Sequence, residues 1–560
     1  MRGLRVWLVL LGAIGCGLVG AASAIAAGDS RVTIGSQASP FPQNKQNEPA
    51  VAVDPVDHNL AVAGVNEEID NAPCNGNDCS FTPGIGDSGV YFSFDGGATW
   101  SQPTYTGLSA RTGTAVPGGP IGTVPNYFEA GLQSDGDPTL AFGPRPGANG
   151  KFSWLNGARL YYGNLTSNIN AKKTETFKGA EAVAVSFTDD PAGAAAGENA
   201  AWSSPVVVTK QNAALFSDKP DVWADNASSS PFFGNVYECN IAFRSIHGSP
   251  EPVVFSRSTD GGKTFSRSAQ LTQAAGNAQQ IGRQGCAIRT DSHGTVYVFF
   301  EGAVNKHSVQ ELTRSFDGGK TFERPRAVAN VTDVGVFDPV QDDIVFDGVT
   351  GARTDSFPSV DIANNAPTGA GATNTIALMW ADARAGLNHE QALVQLSGDG
   401  GSTWTSPVNA AEATDRPDFP AVALAPNGSE LYTVYDGFTT AFQDTNDTAR
   451  MFQGVVRGAP LSGTALGAFT TLHRGDAGDS RASSANDLTT GFLGDYNYAA
   501  ATDTSVTAVW NDARNAADCA AIDAFRDSEL TANPLAKPAP PTQCPATFGN
   551  TDIFGGNYPG

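Results

Sequence analysis

The residues able to do chemistry in this chain stand as short polar punctuation around apolar, β-type runs. Glu48, Asp137, Asp218, Arg283, Asp355, Asp418 and Asp495, the last with Tyr496 beside it, each open such a run. Glu67, Arg244, Glu301, Arg384, Asp436 and Arg514 each close the run that follows. If these openings and closings share one face, they make a ring of carboxylates with arginines among them. That is the composition of a polar ligand pocket, or of a site for a hard cation such as calcium. A plainer reading competes with it. "WADAR" (Trp380–Arg384) and "WNDAR" (Trp510–Arg514) repeat an Asp–Arg pair, and a guanidinium forked on a carboxylate can simply brace a loop. Carboxylates next to proline can likewise cap turns.

The elements that must position these residues are legible in a repeat. The pattern S-x-D-G-G-x-T-aromatic occurs at Ser93–Trp100, Ser258–Phe265, Ser315–Phe322 and Ser397–Trp404. Its Asp and Ser bind nearby backbone N–H groups in turns, and its glycines supply the positive φ of a tight turn. The spacing of liganding side chains that a calcium loop needs is absent from it. Upstream of these boxes lie seven recurring openings, such as "EPAVAVDP" (Glu48–Pro55), "KPDVWADN" (Lys219–Asn226) and "FPAVALAP" (Phe419–Pro426), spaced 62 to 89 residues apart. Between opening and box come runs of β-branched and aromatic residues bounded by Gly, Asn and Asp, which read as strands. Strand, turn, strand, loop, strand, box, strand is one blade, so the expected fold is an all-β propeller of seven blades, with six as the alternative. The boxes join the third and fourth strands, which puts them on the face opposite the openings. The last blade is one strand short at the C-terminal end, and the stretch around Arg31–Gly35 is expected to fill the gap and close the ring. The expected organisation is a single domain over 28–560, with insertions near 106–136, 163–200 and 515–548.

The box resembles the Asp box of the BNR-repeat, sialidase-like β-propellers, with Asp95, Asp260, Asp317 and Asp399 as its aspartates. The resemblance implies a sialidase-type propeller and an exo-acting glycoside hydrolase as one possible activity. In that scheme Arg244, Arg384 and Arg514 would clamp a sugar carboxylate. Tyr496 with Glu301 would be the nucleophile pair and Asp137 the acid/base. The family's early F/Y-R-I-P motif, which holds one clamp arginine, is missing. The first blade offers "QNEPAVAV" (Gln46–Val53) instead, and "ERPRA" (Glu323–Ala327) follows a box on the wrong face. This departure favours a glycan- or small-ligand-binding protein over a sialidase. A carboxylate-based lyase or hydrolase using calcium is a third reading.

The totals bound the partners. Lys and Arg number 34 against 57 Asp and Glu, a net charge of −23, which argues against a nucleic-acid partner. "MRGLR", the apolar run after it and the small residues Ala22–Ala26 read as a secretory signal over 1–27. No later segment is apolar enough to cross a bilayer, so a secreted monomer is expected. Cleavage removes Cys16 and leaves six cysteines, an even number suited to disulfides in an exported chain. Proximity favours Cys74–Cys79. Cys519–Cys544 would close a Pro-rich insert, and the remaining pair, Cys239–Cys286, would tie two neighbouring repeats.

Overall fold

The computed structural model describes residues 28–169, 181–209, 216–243, 251–272, 284–339, 343–348 and 353–560. The expected leader 1–27, with Cys16, lies outside the described residues, as do Arg244 and Arg283. Seven antiparallel sheets form a ring. Their innermost strands are, in blade order, Gln46–Val53, Thr139–Pro146, Phe216–Ala224, Gln284–Thr290, Ser359–Ile362, Arg416–Leu424 and Tyr498–Ala501. Each packs on the next, and the seventh packs on the first, so the count of seven holds and the circle is closed. The core is accordingly divided into apolar wedges between blades. One joins Tyr237, Phe255, Ile288 and Val298 of blades 3 and 4, and another joins Phe299, Val360, Leu378 and Trp380 of blades 4 and 5.

Closure comes from the start of the chain. Ser30–Arg31 pairs with the strand Asp552–Pro559 as the outermost strand of blade 7, and Val32 N donates to Ile553 O at 2.8 Å. The pairing begins one residue earlier than the sequence suggests. Beyond Val32 the chain turns, and Thr33 Oγ1 donates to Asp552 Oδ1 at 3.0 Å.

All four boxes fold alike. The serine hydroxyl donates to its aspartate at 2.8–2.9 Å and accepts from the second glycine N–H at 2.8–2.9 Å. The threonine hydroxyl donates to the same carboxylate at 2.6–2.7 Å. Both glycines have positive φ in every copy, which is why a side chain is not accommodated there. The turn also staples blades together. The first glycine's carbonyl accepts from the preceding blade in each case: from Thr507 Oγ1 to Gly96 at 3.1 Å, from Arg159 to Gly261 at 2.7 Å, from Arg257 to Gly318 at 3.2 Å and from Arg314 to Gly400 at 2.6 Å. The box aromatics wedge into the same seams, Phe322 against Phe255 and Trp404 against Phe299.

Three disulfides are present: Cys74–Cys79, Cys239–Cys286 and Cys519–Cys544. The second joins blade 3 to blade 4. The insertions carry a hairpin of Tyr105–Ser109 with Val116–Ile121 and a short helix Pro191–Ala195. They also carry the helices Ala520–Glu529 and Pro540–Gln543. Among the described residues no helix is long and apolar enough to cross a membrane.

Candidate functional site

The seven openings converge on one mouth of the central channel. At the position just before proline, or before its Cys286 and Asn497 equivalents, the blades contribute Glu48, Asp137, Lys219, Gly285, Phe357, Phe419 and Tyr496 in order. Five of these have positive φ, namely Glu48 (54°), Asp137 (48°), Lys219 (49°), Gly285 (57°) and Phe419 (48°). For a residue with a side chain that conformation costs on the order of 1–3 kcal/mol, and a following proline restricts it further. In blades 1, 3, 4 and 6 the position is a bulge at which the register with the second strand shifts. A bulge re-aims a side chain. The result is an asymmetric rim, charged on blades 1 to 3, open at Gly285, and aromatic on blades 5 to 7.

The charged half is tightly wired. The Lys219 ammonium bonds Asp495 and lies 3.7 Å from Glu48 Oε1. Arg353, from the insert ahead of blade 5, forks onto the same Asp495 at 2.7 and 2.9 Å. Burial alone would raise the Asp495 carboxyl, but the Arg353 and Lys219 charges outweigh it and hold it far below the usual range. Asp495 N donates to Glu48 Oε1 at 3.1 Å, and Asn66 Nδ2 donates to the other Glu48 oxygen. The Tyr496 hydroxyl reaches Asp137 Oδ1 at 3.4 Å. Burial, then Glu48, pushes the Asp137 carboxyl well up. Burial, then Asp137, Glu48, Asp495 and Asp218, pushes the Tyr496 phenol well up. Both groups therefore favour their neutral forms.

Beside this rim lies an open depression of about 730 Å³. Its described lining holds eight carboxylates, among them Asp87, Asp135, Glu181 and Asp218, against two cations, Lys45 and Arg353. Below the rim the channel narrows to a cleft of about 90 Å³ walled by Phe357, Phe419 and Tyr496. Arg289 forms its floor. It bonds Asp221 at 3.0 Å, approaches Asp361 at 3.6 Å and Tyr498 Oη at 3.5 Å, and stacks under Trp223 at 4.5 Å. Blades 3, 4, 5 and 7 thus meet on one guanidinium, and a second cleft of about 120 Å³ lies on its far side.

The residues expected from sequence are distributed as follows. Asp137 and Tyr496 come together. Glu301 does not join them: Tyr496 bonds Asp137 instead, and Glu301 faces Asp355 and Asp333 at the seam of blades 4 and 5. Arg384 and Arg514 stand on the outer rim and form no common clamp. Arg384 forks onto Asp382 at 2.7 Å and reaches Asn330 O at 2.7 Å. Arg514 forks onto Asp512 at 2.7–2.9 Å and bonds Asp29 at 2.7 Å. In both repeats the tryptophan indole also donates to the aspartate, from Trp380 at 2.8 Å and from Trp510 at 3.3 Å. Arg244 lies outside the described residues. Asp218, Asp355 and Asp418 each accept from the next backbone N–H, at 2.9, 2.7 and 3.0 Å. Glu67 is buried among Gln46, Tyr91 and Gln102, and burial raises it to about 7. Lys219 and Arg353 are the mouth cations that sequence reasoning passed over. Among the described residues no three His, Cys, Asp or Glu side chains are arranged to hold a metal ion.

No family model matches the chain, and no curated protein matches it. Among solved structures it is similar to a Hadza microbial sialidase, Hz136, at 13% identity over 70% of this chain and 63% of that one, with a TM-score of 0.38. It is also similar to a Dyadobacter fermentans protein of unknown function, at 13% identity over 77% and 99%, with a TM-score of 0.37. A third is the Trypanosoma rangeli sialidase in complex with the inhibitor DANA, at 13% identity over 71% and 53%, with a TM-score of 0.40. The chain thus spans less than two thirds of either sialidase's length. Likeness at this level carries no argument about chemistry, and the propeller rests on its own sheets.

Proposed function

We propose that this chain is an exported, sialidase-like propeller of the Asp-box kind that binds an uncharged glycan in its mouth and does not hydrolyse sialosides. One observation carries the reading. Every described arginine or lysine at the mouth is already committed, Lys219 and Arg353 to Asp495, while Arg384 and Arg514 are forked on the rim. A carboxylated sugar would find no free fork to grip it. A neutral sugar would find acceptors in Glu48 and Asp137 for its hydroxyls, and the faces of Phe357 and Tyr496 for its apolar side. The raised Tyr496 phenol supports the same conclusion, because a nucleophile must ionise and four carboxylates surround this one. Three disulfides suit an oxidising, extracellular setting.

The test is a set of neutral and sialylated oligosaccharides titrated calorimetrically, with release from a fluorogenic sialoside followed in parallel. Neutral glycans should bind, and Phe357→Ala should weaken them at least tenfold. Sialoside turnover above a Tyr496→Phe control, or preference for the sialylated ligands, would overturn the reading.

A further inference from the structure

At the mouth end of blade 4, three polar side chains leave the sheet side by side. Gln284, Glu301 and Gln310 are direct cross-strand partners on its first three strands, so they share one face. That face meets blade 5. The Gln310 amide nitrogen donates to Ser356 O at 2.6 Å, which sets the neighbouring Asp355 against this face, and the Glu301 carboxyl faces those of Asp355 and Asp333. Gln310 is 0% exposed and Glu301 7%. Yet Glu301 Oε2, Gln284 Oε1 and Gln310 Oε1 are all buried with no donor. Buried oxygens of this kind are rare because each has lost water and gained nothing. The charges acting most strongly on Glu301 are both carboxylates. One proton shared between Glu301 and Asp355 would supply a single donor and leave the two amide oxygens bare. A hard cation would satisfy all of these oxygens at once.

We propose that Gln284, Glu301, Gln310 and Asp355 bind a calcium-type divalent cation between blades 4 and 5. The donor set is oxygen alone, two carboxylates to balance the charge and two amide carbonyls to fill the shell, which suits calcium and not zinc. It differs from a cage of carboxylates because amides supply half of it. Asp355 also lines the channel cleft and Asp333 is exposed, so the ion has a way in. The cation would fix the segment that carries Phe357, two residues beyond Asp355, and so one wall of the mouth.

The experiment is a calcium titration of EDTA-treated protein, read by calorimetry for binding and by thermal melting. The wild type should bind calcium and melt several degrees higher with it. Glu301→Gln should bind at least 100-fold more weakly and lose the thermal response. Its calcium-free melting point should be no lower than wild type, because a contact between like charges has gone. Asp355→Asn should behave in the same way, and Asp137→Asn, in the acidic depression, should keep the wild-type response. Absence of calcium-dependent melting in the wild type, or an undiminished response in both Glu301→Gln and Asp355→Asn, overturns the proposal and leaves a shared proton as the occupant.

Discussion

Replacing Glu238 by glutamine isolates the cost of a carboxylate enclosed without partners. Glu238 sits on the second strand of blade 3, between Val222 and Ser256 on its neighbouring strands. It is 0% exposed, and neither of its oxygens has a hydrogen bond. The Ser256 hydroxyl beside it is bonded to Ser268 at 3.0 Å. Burial raises its carboxyl from 4.5 to about 8. The folded protein therefore keeps a proton that the unfolded chain releases. The contribution of Glu238 to stability is greatest in acid and falls as pH rises from about 4.5 to about 8. Between roughly pH 5 and pH 7 this one group removes about 2.5 kcal/mol, at about 1.36 kcal/mol for each pH unit in which only the unfolded form has ionised. Glu238→Gln keeps the shape and abolishes the titration. Urea midpoints of wild type and variant measured across that range should diverge steadily, the variant's curve being flatter by about this amount. Parallel curves would refute the reasoning, since they would mean that the carboxylate is solvated or paired in the native state.

Asp317→Ala removes four hydrogen bonds to the carboxylate that pins one box and should lower stability by about 1–2 kcal/mol by denaturant titration. The same change at Asp399, in the next blade, should add independently. Arg289→Met leaves the buried Asp221 with hydrogen bonds from Thr139 and Ile288 N but no counter-charge, and equilibrium unfolding should show a loss of about 3 kcal/mol. Removing Cys239–Cys286 by a double serine variant frees a loop with a sequence separation of 47 and should cost about 4 kcal/mol in the same assay.

The parts of the fold legible in the sequence are those encoded within a few residues. A box closes its bonds inside eight positions, so Ser315, Asp317 and Thr321 announce their turn wherever it lies. The closing N-terminal segment followed from counting blades, and the cysteine pairs from their closeness along the chain and the pair left over. The mouth was legible only in outline. Lys219 stands in a quoted opening, but its role depends on a positive-φ backbone and on Asp495, 276 residues away. Aligning the seven openings on their proline, or on its Cys286 and Asn497 equivalents, would have singled it out. Arg353 lies in an insert outside the repeat and gives no such signal. The resemblance pairs Tyr496 with Glu301, yet blade 7 and blade 4 stand across the ring, and the phenol meets Asp137 on blade 2 instead. The bracing role of Arg384 and Arg514 was legible in the repeated W-x-D-x-R, whose tryptophan, aspartate and arginine close their bonds within five positions; only the outer partners, Asn330 O and Asp29, act across the fold.

The last blade is woven from two segments more than 500 residues apart, Ser30–Arg31 lying against Asp552–Pro559. During synthesis, six sheets can be complete while the seventh still lacks two of its four members. The Ser30–Arg31 segment must wait, unpaired, for its partner to emerge, so the circle locks only once Asp552–Pro559 has been made. Until then the growing chain is an open crescent with two raw sides, each an unpaired edge that another chain could occupy.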